Sequence, residues 1–180
     1  MKKSIVLFTF AASLGGFLYG YDMAIVSGTI GYLKAHFQLD PKLTGWAVSS
    51  VVVGGMFGSG MAGFLGDRYG RKWALIGCAI LFIGAAILAA TARSITFFTA
   101  ARFLGGIAIG AASMLSPLYI AEIAPAHARG KLVSCYQLAI VVAICLVFFI
   151  NLQIQRASDE TWNITTGWRW MFASTVLPAG

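Results

Sequence analysis

"GGFLYGYDMAIVSG", residues 15–28, belongs to a long apolar run that contains a single carboxylate, Asp22. The run covers residues 4–30 and exceeds the ~20 residues that a helix needs to cross the hydrocarbon core of a bilayer. The lysines that precede it resemble the start of a secretory signal. Because the run continues without a break through Asp22, we interpret it as a transmembrane helix and not as a cleaved leader.

The composition of the chain is that of a membrane protein. Of its 180 residues, 59% are hydrophobic and 11% are charged, and the mean hydropathy is +0.82. No segment between the apolar runs is long enough to form a soluble domain. We therefore predict an all-α integral membrane fold with five transmembrane helices and the start of a sixth. The predicted helices are residues 4–30, 45–65, 73–92, 95–120 and 132–153, with the sixth beginning near residue 168.

The basic residues lie in the short connections between the apolar runs, and their distribution predicts the orientation of the helices. The net charge is +7, but basic residues at helix ends indicate membrane topology and not a nucleic-acid surface. One set of connections carries seven Lys or Arg residues and the alternate set carries four. By the positive-inside rule, the richer set and the N-terminus face the cytoplasm. The richer set comprises Lys2, Lys3, Arg68, Arg71, Lys72, Arg129 and Lys131, and the poorer set comprises Lys34, Lys42, Arg93 and Arg156.

Small residues recur at four-residue spacing in three of the predicted helices. Such spacing places them on one helix face, where they let two helix backbones approach closely. We interpret this pattern as evidence for packing and not for function. The residues are Gly16, Gly20, Gly54, Gly58, Ala62, Gly106 and Gly110.

Two ionisable residues of opposite charge, Asp22 and Arg102, lie within predicted membrane helices. Counting about 1.5 Å per residue from the helix ends places both roughly 10–12 Å below the external surface, so the two side chains are able to meet. Charged side chains at such depth are costly and usually mark an ion or proton pathway. We expect Asp22 to exchange a proton as its surroundings alternate, with Arg102 as its partner. The alternative is that Arg102 snorkels and Asp22 is a neutral, structural acid.

Two polar side chains are candidates for contacting a ligand. Tyr19 lies about one turn before Asp22 on a similar helix face, where its hydroxyl is able to line the same cavity, although simple packing is the commoner role. Gln137 lies in the fifth predicted helix, where an amide needs a partner. That partner is either a neighbouring helix or a hydroxylated ligand, and the spacing leaves both roles open.

Carboxylates and guanidinium groups cluster at the predicted cytoplasmic ends of the helices. If these groups are simply solvated, their ion pairs contribute little. Alternatively, bidentate pairs lock the helix ends together and break when the protein opens inward. The residues concerned are Asp67, Arg68, Arg71, Glu122 and Arg129.

Enzyme and nucleotide-binding motifs are excluded by their context. GSGMAG, residues 58–63, matches a dinucleotide fingerprint, but its glycines lie within an apolar helix and not between a strand and a helix. GDRYGRK, residues 66–72, lacks the glycine spacing of a P-loop. His36 and His127 lie in predicted connections on opposite sides of the membrane, so they supply no base for a nucleophile. We expect no enzymatic activity, no cofactor and no metal.

Longer motifs resemble those of the sugar porter family of the major facilitator superfamily. They are GDRYGRK after Gly63, RFLGGIAIG at residues 102–110, and PLYIAEIAPAHARGK at residues 117–131. GFLYGYD, YQLAI and GWRWMF also resemble family segments, so the resemblance covers essentially the whole chain. Within the family, the chain resembles bacterial proton-linked xylose porters.

The resemblance implies a transporter with twelve helices in two halves. Residues 1–180 would then be the N-terminal six-helix half, truncated within the sixth helix, with the C-terminal half absent. In this family pattern, Asp22 is the proton-coupling acid, Arg102 is its modulating partner, and Gln137 and Tyr19 contact the sugar. The pattern also implies a cytoplasmic gate that holds the outward-facing state, formed by Gly66, Asp67, Arg68, Arg71, Glu122 and Arg129.

The sequence therefore predicts proton-coupled symport of a monosaccharide such as xylose or glucose across the inner membrane, by alternating access. The expected partners are the sugar, the lipid bilayer and the missing C-terminal half, with no nucleic acid. One position departs from the xylose porters, because Ile144 lies where they have a second glutamine. A facilitator, a polyol porter and a transporter-like sugar sensor are the alternatives.

Overall fold

The computed structural model describes residues 3–176 and 178–179, and these residues form helices and turns without a strand. Five long helices follow one another: α1 (Lys3–Phe37), α2 (Pro41–Tyr69), α3 (Arg71–Ala90), α4 (Ile95–Ile123) and α5 (Arg129–Arg156). By length and composition, α2 to α5 are apolar enough to cross a membrane. The predicted all-α membrane fold is confirmed.

A sixth segment, residues 160–176, follows α5 and is interrupted by non-α turns. The predicted start near residue 168 is too late, because the polar residues before it are already helical. Their hydroxyl groups bond within the helix, as when Thr165 Oγ1 donates to the Thr161 carbonyl at 3.0 Å. Hydropathy alone does not detect such a polar turn. The sixth segment consists of α6 (Glu160–Trp162), a π-helical turn (Asn163–Gly167), α7 (Trp168–Ala173) and a 3₁₀ turn (Ser174–Val176).

α1, α2, α4 and α5 extend past the predicted bounds, whereas α3 both begins and ends two residues earlier than predicted. Local groups, and not only the limits of the apolar runs, determine these ends. Asp40 caps α2, where its carboxylate accepts a hydrogen bond from the Leu43 N–H at 2.9 Å. A single residue, Gly70, joins α2 to α3 with φ of 82°, a conformation that favours glycine. His36, predicted to lie in a connection, is in the last turn of α1.

The helices pack in a crossed arrangement. α4 lies along α2 and α3, whereas α1 lies along α5 and also contacts α4. Between α2 and α4 the backbones touch: a methyl group at Gly58 would overlap the Ile107 carbonyl, and one at Gly106 would overlap the Val51 carbonyl. The predicted packing role of these small residues is confirmed.

The sixth segment closes the bundle beside α1, α3 and α4. Trp168 and Phe172 are buried, and the ring of Phe172 packs edge-on against Phe98 of α4 with 5.2 Å between the ring centroids. Arg169 Nη1 donates a hydrogen bond to the Ala90 carbonyl at the end of α3, at 3.0 Å. These contacts bring the sixth segment next to Asp22 and its partner.

Candidate functional site

The centre of the candidate site is an ion pair between α1 and α4. Asp22 is 2% exposed and Arg102 is 4% exposed. Arg102 Nη2 donates to Asp22 Oδ2 at 2.9 Å, and Nη1 donates to the second carboxylate oxygen. The two side chains, predicted to be able to meet, do so in the bidentate geometry that gives the strongest charge-assisted hydrogen bonds. Arg102 does not snorkel.

Apolar and small side chains surround this ion pair. The guanidinium carbon of Arg102 lies 5.4 Å from the centre of the Phe172 ring, within the range of a cation–π contact. Ala85, Ala86 and Ala89 of α3 line the same side of the pair as Phe172. Because both charges are withdrawn from water, removing either one leaves the other without compensation. A change of charge on Asp22 is therefore coupled to the position of Arg102.

The two predicted sugar contacts lie elsewhere. Tyr19 is half-buried and packs against a cluster that includes Leu18 and Phe82. It is not among the residues that line the small cavity beside Asp22, and its contact with a ligand stays a prediction. Gln137 is exposed on α5. Within the described residues its amide is not buried against a neighbouring helix, which leaves it accessible to a ligand.

A second cluster of charges joins three helices at the end of the bundle that carries the α2–α3 connection. Arg71 Nη2 lies 2.7 Å from Asp67 Oδ1, and Arg71 Nε lies 3.2 Å from Glu122 Oε1. The first pair ties α3 to the end of α2, and the second ties it to the end of α4. Gly66 leaves room for this arrangement, since a methyl group there would overlap the side chains of Arg71 and Leu115.

Two members of the predicted gate are outside this cluster of ion pairs. Arg68 is exposed, and its guanidinium carbon lies 5.7 Å from the ring centre of Phe64 and 5.8 Å from that of Tyr69. Arg129 is exposed at the start of α5. In the described part of the chain, the ion pairs include neither arginine. The structure thus brings together four of the six predicted gate residues.

Sequence reasoning missed the neighbours of Asp22 that belong to the sixth segment. Phe172 and Thr175 lie beside the ion pair, and Ser174 Oγ lies 2.8 Å from the hydroxyl of Tyr21. No local pattern indicates these contacts, because they depend on how the sixth segment packs against α1 and α3. Among the described residues, no group of three or more His, Cys, Asp or Glu side chains is arranged to hold a metal ion.

Comparisons with known proteins agree with the helical arrangement. A family model described as "Sugar (and other) transporter" matches residues 8–180. The arabinose-proton symporter of Bacillus subtilis (strain 168) is 45% identical over 175 residues, which are 97% of this chain and 38% of that protein. The D-xylose-proton symporter of Escherichia coli (strain K12) is 39% identical, over 95% of this chain and 40% of that protein.

Solved structures of a xylose transporter have the same fold. The proton:xylose symporter XylE bound to 6-bromo-6-deoxy-D-glucose superimposes with a TM-score of 0.93 at 39% identity, covering 97% of this chain and 42% of that one. The inward open conformation of XylE from E. coli gives a TM-score of 0.91 at 40% identity, covering 97% and 46%. The chain thus spans about two fifths of the length of these relatives.

Proposed function

Because the chain belongs to the sugar transporter family, we propose that residues 1–180 form the N-terminal six-helix half of a proton-coupled monosaccharide symporter. In this proposal the half ends within the sixth helix, and a C-terminal half completes the transporter. Relatives named as proton symporters of arabinose and xylose support it. The transporter moves its substrate across the inner membrane and carries out no covalent chemistry.

The buried ion pair is the observation that carries the proposal. Asp22 accepts both of its hydrogen bonds from Arg102, so a proton on the carboxylate removes the charge that holds the guanidinium. Arg102 is then free to move, and the contact between α1 and α4 changes with it. A proton that alters helix packing biases the protein toward one of its conformations, which is the requirement for coupling a proton to alternating access.

Gln137 is the proposed sugar contact of this half, with Tyr19 nearby on α1. An exposed amide offers both a donor and an acceptor to neighbouring sugar hydroxyls. The substrate is xylose, glucose or a similar monosaccharide. Replacing Gln137 by alanine is expected to weaken sugar binding measured by calorimetry, whereas Val141→Ala, an exposed position one turn further along α5, leaves it unchanged. Equal affinities in the two variants would exclude Gln137 as a contact.

The cluster around Arg71 is the proposed cytoplasmic gate. Opening toward the cytoplasm requires α3 and α4 to separate at this end, which breaks the contact between Arg71 and Glu122. Arg68 and Arg129 are exposed, and we assign them to pairs formed in another conformation. The complete gate comprises Gly66, Asp67, Arg68, Arg71, Glu122 and Arg129.

The test of coupling is transport by a full-length porter that carries this segment. Asp22→Asn is expected to abolish accumulation of sugar against its gradient and to retain sugar exchange, because an amide cannot carry the proton. Thr29→Val is the matched control, since Thr29 is also buried on α1 but donates its hydroxyl within the helix, to the Ile25 carbonyl.

The facilitator and the sensor predict different outcomes of the same experiment. Uphill accumulation by Asp22→Asn would show that coupling through Asp22 is wrong. A facilitator would fail to accumulate sugar even with Asp22 in place. A sensor would bind sugar without any flux.

A further inference from the structure

A small cavity lies beside the ion pair, on the side of α3 and the sixth segment. Asp22 and Arg102 line it, together with Gly105 of α4 and Thr175 of the sixth segment. Its volume is about 10 Å³. This is close to the ~10–15 Å³ that the centre of one water molecule requires. The cavity therefore has room for a single water molecule.

Three polar groups of the wall match the hydrogen-bonding capacity of a water molecule. Arg102 Nε is buried and has no hydrogen-bond partner among the described residues. The Asp22 carboxylate has lone pairs beyond those that accept from Arg102. Thr175 Oγ1 donates to the Phe172 carbonyl at 2.6 Å, so its own lone pairs are free to accept. Buried waters make two to four hydrogen bonds, and this wall offers about three.

We propose that this cavity binds one water molecule, which passes the coupling proton to and from Asp22. The water accepts a hydrogen bond from Arg102 Nε and donates to the Asp22 carboxylate and to Thr175 Oγ1. When a hydronium ion from the bulk takes its place, one O–H bond of the hydronium breaks as an O–H bond forms on the carboxylate. Neutral water remains, and release is the reverse step. This inference rests on the proposed function, because it assumes that Asp22 carries the proton.

A second cavity next to Arg102 shows why the first one is assigned to water. It also measures about 10 Å³ and lies on the side of α1 and α2. Apart from Arg102 its wall has one polar residue, Thr44, and no carboxylate. Cavities with apolar walls stay dry. The proton therefore reaches Asp22 from the side of α3 and the sixth segment.

Gly105→Ala tests the water site by filling it. A methyl group at Gly105 would lie 3.5 Å from Cβ of Ala85, an ordinary contact, so the variant fits the fold while taking up the space of the water. In vesicles containing a full-length porter with this segment, we expect sugar-driven proton uptake to fall by roughly tenfold or more, as for loss of a proton-transfer group. Sugar exchange is retained. Gly84→Ala, at an exposed position of α3 with no atom within 4 Å, is the matched control and transports normally.

Thr175→Val provides an independent test because it keeps the volume and removes the acceptor. Proton uptake by Thr175→Val is also expected to fall, with sugar exchange retained. If Gly105→Ala loses sugar exchange, Thr175→Val alone tests the water site. Proton uptake at the normal rate in Thr175→Val would overturn the water site, provided that Asp22→Asn still fails to accumulate sugar. The same result in a Gly105→Ala protein that retains sugar exchange would also overturn it. If Asp22→Asn accumulates sugar, it is the proposed function that fails.

Discussion

The carboxylate of Asp22 is tolerated inside the bundle because Arg102 neutralises it at hydrogen-bonding distance. An isolated charge in this position would be strongly unfavourable, and a buried pair is often no more stabilising than well-packed apolar residues of the same volume. Stability alone therefore does not explain why this segment contains the pair. Its value to the protein lies in the dependence of each charge on the other.

This dependence predicts the stability of variants at the pair. Arg102→Leu leaves the carboxylate without compensation, and we expect a loss of about 3–5 kcal/mol in the free energy of unfolding at neutral pH. The double variant with Asp22→Asn removes both charges and is expected to recover most of that loss. Thermal unfolding of the detergent-solubilised full-length porter measures the difference. Equal destabilisation of the single and double variants would show that the cost arises from packing and not from charge.

The ion pair was predictable from the sequence, but its surroundings were not. Helix periodicity and length place Asp22 and Arg102 at a common depth, and opposite charges in a membrane have few other ways to be satisfied. Phe172 and Thr175 lie beside the pair because of how the sixth segment packs, and no periodicity in the sequence indicates that packing.

The contact between α2 and α4 depends on the absence of side chains. The carbonyl of Ile107 occupies the space that a methyl group at Gly58 would need, and the carbonyl of Phe103 does the same at Gly54. In lipid there is no hydrophobic force to hold two helices together, so close contact between backbones supplies the attraction. Gly58 and Gly60 are two residues apart on α2, yet only Gly58 faces α4.

This difference between neighbouring glycines is testable. Gly58→Ala is expected to lower the free energy of unfolding by about 1–3 kcal/mol, because the helices must move apart to admit the methyl group. Gly60→Ala has nothing within 4 Å and is expected to be neutral or stabilising by up to about 1 kcal/mol, since alanine is the better helix former. Thermal unfolding in detergent compares the two variants. A similar loss of unfolding free energy in both would show that the close contact at Gly58 is not the cause.

The existence of the five long helices was predictable from the apolar runs, whereas their ends were not. Hydropathy marks the part of a helix in contact with lipid. Backbone hydrogen bonds continue until a cap, a proline or a left-handed residue interrupts them. Asp40 and Pro41 set the start of α2, and Gly70 separates α2 from α3. The early start of the sixth segment at Glu160 follows from the same physics, since backbone hydrogen bonds do not require apolar side chains.

At the scale of the whole molecule, the crossed packing relates the first three helices to the next three. α4 lies along α2, and α1 lies along α5. This exchange of partners is the arrangement expected of two inverted three-helix repeats. In such an arrangement α1 and α4 are the first helices of their repeats, and the ion pair joins these two equivalent positions.

The charges of the connections predict the orientation of the bundle in the membrane. The connections with more Lys and Arg residues lie at the end of the bundle that carries the Arg71 cluster, and by the positive-inside rule this end faces the cytoplasm. Ser158 and Ala126 are exposed residues in connections at opposite ends. In a background without Cys78, Cys135 and Cys145, each is replaced singly by cysteine and treated with a membrane-impermeant maleimide in right-side-out vesicles.

The two labelling sites are expected to respond differently. Ser158→Cys reacts in intact vesicles, because the connection between α5 and the sixth segment faces outward, whereas Ala126→Cys reacts only after the vesicles are permeabilised. If only Ala126→Cys is labelled in intact vesicles, the bundle has the opposite orientation. The Arg71 cluster would then be on the external side, where it could not form a cytoplasmic gate. Because the positive-inside rule acts on charges in short connections, the prediction depends on the distribution of Lys and Arg and not on any contact within the bundle.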